Sequence, residues 1–132
     1  MIASTIELNA GFDDAIAQVT DALAAEGFGV ITRIDMHTTF AEKLGVDFRN
    51  YTILGACNPG LAHKAVSDAA EVGLLLPCNI TVEQSGDGAL VRIPDAQKML
   101  GESGLPDSPA LAELAEDAGA RLSRVSDALR GG

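Results

Sequence analysis

Residues 51–80, YTILGACNPGLAHKAVSDAAEVGLLLPCNI, hold two apolar runs on either side of a short helical stretch, and each run carries one of the two cysteines of the chain. The first run, 51–56, is apolar on both faces and rich in β-branched residues, the pattern of a strand in the middle of a sheet. Asn58-Pro59 then starts a helix. Asn accepts from the free amides of the first turn, and Pro sits where an amide needs no partner. The helix is expected to run to about Ala70 with Leu61, Ala62, Ala65, Val66 and Ala69 inward, and Gly73 ends the excursion. The second strand begins beyond Pro77, because proline removes a ladder amide and is tolerated at the first residue of a strand. Such a strand-helix-strand unit needs further elements to cover it.

The flanking sequence supplies them. Residues 3–8 read as a first strand. In the run from Phe12 to Gly27, Phe12, Ile16, Val19 and Leu23 draw one apolar stripe and Gly27 caps the C-terminus. Residues 28–36 follow as a strand with Phe28, Val30, Thr32 and Ile34 on one face, and Thr38 or Thr39 caps a short helix closed by Gly45. Beyond Ile80, Ser85-Gly86-Asp87-Gly88 turns the chain into ALVRI, so residues 78–93 form a hairpin. A helical turn, DAQKML, and a loop rich in Gly, Ser and Pro lead to a long helix over about 109–130. There Leu111, Leu114, Ala118, Leu122, Val125 and Leu129 share one side. The order of elements predicts an α+β fold: a largely antiparallel sheet of about five strands with helices packed on it, in one domain spanning 1–132.

Nineteen acidic against nine basic residues give a net charge of −10, which repels the phosphates of nucleic acids and anionic membrane surfaces. Neither partner is expected. No stretch reaches the roughly 18 apolar residues needed to cross a bilayer, and no basic segment followed by a long apolar run opens the chain, so a cytoplasmic protein is the expectation. Phosphate-loop, dinucleotide and nucleophile-elbow motifs are lacking.

The candidate site is therefore the cysteine edge. Cys57 ends one strand beside a helix N-terminus, whose dipole can lower a thiol pKa, and Cys78 opens the next strand. If those strands are antiparallel, the two thiols share one edge of the sheet. His63, in the second turn of the helix, would complete a soft set of three ligands for copper or a haem iron, one short of a closed zinc site. Asn58, Pro59 and Pro77 shape this edge. A weaker constellation is Asp35 with His37, which point to the same face if both lie in a strand and could act as an acid-base pair.

The stretch GFGVITRIDMHTTFAEKLGVDFRNYTILGACNPGLAHKAV, continued by GLLLPCNITV, resembles the bacterial and archaeal domain-of-unknown-function family numbered 302. The resemblance covers about residues 27–100, and YTILGACNP and GLLLPCN are its specific part. It implies a compact α+β fold, commonly a dimer, with no established activity, in a subgroup that carries both Cys57 and Cys78. Arg33 departs from the acidic residue expected before Ile34-Asp35, and Pro94-Asp95 reverses the expected order.

Together these readings lead to three expectations. The first is a non-enzymatic homodimer that binds a metal, a haem or a small apolar ligand at the Cys57/Cys78 edge. The second is a thiol-dependent redox enzyme with Cys57 as the reactive thiolate and Cys78 as its resolving partner. The third is a structural dimer without ligand.

Overall fold

The turn between Ser85 and Gly88 is made by Gly86 and Asp87, with Gly86 at φ 58°, a left-handed conformation that glycine adopts at no steric cost. Two strands run back from it, β4 (Cys78–Ser85) and β5 (Gly88–Pro94). In the computed structural model, which describes residues 3–131, β3 (Tyr51–Cys57) pairs with β4, β2 (Gly29–Asp35) with β3, and β1 (Ala3–Leu8) with β5. The result is a five-stranded sheet in the order β1-β5-β4-β3-β2, antiparallel throughout. Met1, Ile2 and Gly132, the ends of the expected domain, lie outside the described residues.

Five α-helices are found among the described residues: α1 (Phe12–Ala25), α2 (Met36–Leu44), α3 (Pro59–Asp68), α4 (Ala96–Gly101) and α5 (Pro109–Gly131). Alternation along the strands sends Ile6, Leu8, Leu54, Ala56, Ile80, Val82, Ala89, Val91 and Ile93 to one face. Buried side chains of α1, α3, α4 and α5 join them in one core, so these four helices form a single layer on that face. All six residues of the α5 stripe are buried. Each Leu or Val so removed from water is worth about 1.5–3 kcal/mol, and packing of this stripe, more than helix propensity, holds α5 in place. Arg121 and Arg124 pin it to the α1–β2 turn, donating to Glu26 O and Glu26 Oε1, each at 2.8 Å.

Three local expectations are corrected. A register shift between Val30 and Thr32 breaks the alternation of β2. Val30 stands opposite Ala56 on the core face, whereas Thr32 and Ile34 stand opposite Gly55 and Ile53 on the other face, so the four residues expected on one face are divided. Helix α2 begins at Met36, not after Thr38 or Thr39, and Gly45 closes it at φ 65° as expected. Helix α3 stops at Asp68, Val66 within it is exposed because Leu61 and Ala65 take the inward side, and residues Ala70–Leu75 form a separate 3-10 turn. No helix among the described residues is long and apolar enough to cross a membrane.

Candidate functional site

Asn58 caps α3 as its chemistry requires: its Oδ1 accepts from Leu61 N at 3.2 Å, and Pro59 occupies the first turn. Cys57 precedes that cap at the end of β3, and Cys78 opens β4 after the cis Leu76–Pro77 peptide. Both strand ends lie at the same edge of an antiparallel pair. The register nevertheless separates their side chains. Cys78 lies opposite Ala56, not Cys57, and one residue of offset sends the two cysteines to opposite faces. Both thiols are free, and no disulfide pair forms. Cys78 packs against the core, where burial, with a smaller contribution from the charge of Cys57, pushes its thiol up to about 11. It is a neutral thiol at physiological pH.

His63 is exposed, on the side of α3 away from the buried Leu61 and Ala65. The three soft ligands expected to converge are therefore divided between the core face, the opposite face and solvent. Among the described residues no group of three or more His, Cys, Asp and Glu side chains is placed to hold a metal ion. Asp35 and His37 are likewise not a strand pair, because the strand ends at Asp35 and His37 lies in α2. Asp35 Oδ1 accepts from Thr52 Oγ1 at 2.7 Å and from Arg33 Nε at 3.0 Å. The Thr52 bond, helped by Arg33 against a modest desolvation, holds its carboxyl below the usual range. His37 Nδ1 accepts from Tyr51 N at 2.9 Å while its ring meets Phe12 edge-on at 5.9 Å. Each residue ties β2 or α2 to its neighbours.

What the edge does contain is a cavity of about 170 Å³ on the core face, at the start of β4. Cys78 forms part of its wall with Leu74, Leu76, Met99, Leu100 and Ala118, so the lining is drawn from the 3-10 turn, α4 and α5. Pro77 contributes to the same wall, and its ring also lies against Gly55 of β3. A Cβ on Gly55 would lie 2.8 Å from Pro77 Cγ and 2.0 Å from Thr32 Oγ1, so only glycine fits between them.

A second constellation lies on the face that α1, α3, α4 and α5 leave free, and sequence reasoning missed it. Glu83 is buried at 4% exposure although it projects from β4 towards that face. Arg49, from the connection before β3, and Arg92, from β5, both form ion pairs with its carboxylate. Burial pushes the Glu83 carboxyl up, and the hydrogen bonds and charges of the two arginines together outweigh it and hold the group below the usual carboxylate range. In NITVEQ and ALVRI each charge sits where alternation turns a side chain to solvent, which hides the cluster. The signal available was the hairpin itself, since its two-residue turn makes Glu83 and Arg92 diagonal neighbours.

The model of the domain of unknown function DUF302 matches residues 4–129, which extends the resemblance through the C-terminal helix. The crystal structure of an uncharacterized conserved DUF302 protein from Bacillus stearothermophilus is similar with a TM-score of 0.84 and 30% identity, covering 98% of this chain and 99% of that one. No curated protein matches the chain.

Proposed function

We propose that this protein, which belongs to the DUF302 family, is a non-enzymatic module that binds a small apolar ligand at the Cys78 end of the sheet. The observation that carries this reading is the apolar cavity of about 170 Å³ with the Cys78 thiol in its wall. An engineered cavity of about 150 Å³ with apolar walls admits benzene, so the volume suits a ligand of that size and is far too small for a haem. A neutral thiol adds a soft, weakly polar contact without the charge that would favour a metal. The redox alternative has less support, because Cys78 lies on the opposite face from Cys57 and cannot serve as its resolving thiol without movement.

Titration with toluene followed by backbone amide shifts tests the reading. Saturable shifts at Cys78, Met99 and Leu100 are expected, together with a rise in melting temperature, and Met99→Trp should remove both by filling the cavity. A wild-type protein indifferent to toluene would rule the reading out.

We further propose that the module is a homodimer that pairs through β2 and α2. Ile31 (61% exposed), Ile34, Leu44, Val46 and Phe48 are large apolar side chains left in solvent, and all fall within residues 31–48. Residues 29–50 carry Arg33, Lys43 and Arg49 against Asp35, Glu42 and Asp47, three of each sign, so this surface lacks the acidic excess that would drive two copies apart. Light scattering should give twice the chain mass, and Ile31→Ser with Ile34→Ser should return it to the mass of one chain.

A further inference from the structure

We infer that the open face of the sheet carries an oxyanion site, in which the guanidinium groups of Arg49 and Arg92, positioned by Glu83, take the carboxylate or phosphate group of a small molecule. Register sets out this face row by row. Tyr51, Glu83, Leu90 and Glu7 form one row across β3, β4, β5 and β1. Ile34, Ile53, Thr81, Arg92 and Thr5 form the next, across all five strands.

Within this grid Glu83 lies beneath two cations. Its side chain is 6% exposed, whereas those of Arg49 and Arg92 are 52% and 39% exposed. One buried carboxylate is shared between two guanidiniums, so Glu83 alone does not satisfy them, and the further carboxylate of this face, Glu7, is reached only from Arg92 across β1. Arg49 bonds Glu83 through Nε, and Arg92 through Nη1. A guanidinium has five donors in a fixed fork, so most of those on both groups remain directed away from Glu83. Both heads are held in place before any ligand arrives. Glu83 anchors each of them, and the Arg49 guanidinium also stacks over the Phe48 ring at 4.4 Å.

An independent observation adds to this. Thr81 stands opposite Arg92 in the register, and its Oγ1 is buried without a hydrogen-bond partner among the described residues. The unmet hydrogen bond of this hydroxyl, next to Arg92 in the register, is one that an anion entering the row and displacing the side chains over it would complete. Around it Ile53 and Tyr51 provide an apolar and aromatic floor for the body of the molecule, and Glu7 is a diagonal neighbour of Arg92 on the β1 side. The site faces away from the Cys78 cavity, so the two can be tested separately.

The test is an amide-shift titration of the full chain with benzoate and, separately, with inorganic phosphate, at constant ionic strength set with chloride. Saturable shifts at Thr81, Leu90 and Arg92 are expected with at least one of them, and the stronger response tells a carboxylate ligand from a phosphate one. Arg49→Gln, at an exposed position, should weaken binding about tenfold, the scale of one charge-assisted hydrogen bond. Arg130→Gln, on the last turn of α5, should change nothing. No saturable response to either anion, or a response that Arg49→Gln leaves intact, would overturn the inference.

Discussion

Strands β2 and β4 are both partners of β3, one on each side, and they fare differently. In β4, Ile80 and Val82 are fully buried and the register runs without a shift against both β3 and β5. In β2 the register shifts after Val30, Ile31 and Ile34 stand in solvent, and α2, which follows, has no buried residue. Each strand has six positions paired with β3, β2 skipping Ile31 at its register shift, so the number of pairs does not distinguish them. Packing does. Strand β4 sends Ile80 and Val82 into the core beneath the helices, whereas β2 contributes only the partly buried Val30. Stability in this fold therefore follows the helices, and the β2–α2 segment is the part left available for a partner.

The sharpest way to break this contrast is in β4. Ile80→Ala should cost about 2–5 kcal/mol in denaturant unfolding, the range for a large residue deleted from a sealed core. Where the two sides meet, Gly55→Ala should cost about 1–3 kcal/mol by overpacking. Since the nearest clash is with Thr32 Oγ1 of β2, adding Thr32→Ala should restore part of that loss, and the Pro77 contact accounts for the remainder. A double variant no better than Gly55→Ala would put the strain entirely on the β4 side.

Titration gives a smaller and graded effect. Burial raises the folded thiol of Cys78 from an ordinary value of 9.0 to about 11, so above 9.0 the unfolded chain loses this proton first. Stability should then fall with rising pH by about 1.4 kcal/mol per unit until the folded value is reached. Subtracting the same curve for Cys78→Ala isolates this slope from the other groups that titrate there. The smallest effect belongs to β2: Ile31→Ser with Ile34→Ser should leave the unfolding free energy of a single chain within about 0.5 kcal/mol, measured under conditions that keep chains apart. A loss comparable to that of Ile80→Ala would mean that β2 is held by contacts within its own chain after all.

The same contrast explains how much could be read in advance. The unit β3-α3-β4, the hairpin and α5 were legible because local chemistry and burial agree there: Asn58-Pro59 at a helix start, Gly86 in a tight turn, six apolar residues at helical spacing. The division of β2 between two faces was not, since a one-residue shift leaves no mark in composition and depends on what β3 presents opposite it. The site suffered from the same blindness to register. Cys57 and Cys78 were rightly placed at one edge, and a single residue of offset put them on opposite faces. His63 failed for a simpler reason, because Leu61 and Ala65 take the inward positions of α3. The Glu83 cluster stayed hidden because a carboxylate at an outward strand position reads as solvated until the arginines that cover it are known.

Strand order also has a meaning in time. As the chain is synthesised, β2, β3, β4 and β5 emerge in the order in which they pair, so each can dock on the one before it. Among the described residues β1 comes before the other strands, yet it pairs with β5, which comes after them all. Until Pro94 has been added, Ile6 and Leu8 have no neighbouring strand, and α1 has no α5 to pack against. The amino-terminal segment is thus held back while the meander assembles, and the long-range β1–β5 pairing, with its high loop-closure cost, is the step expected to limit folding.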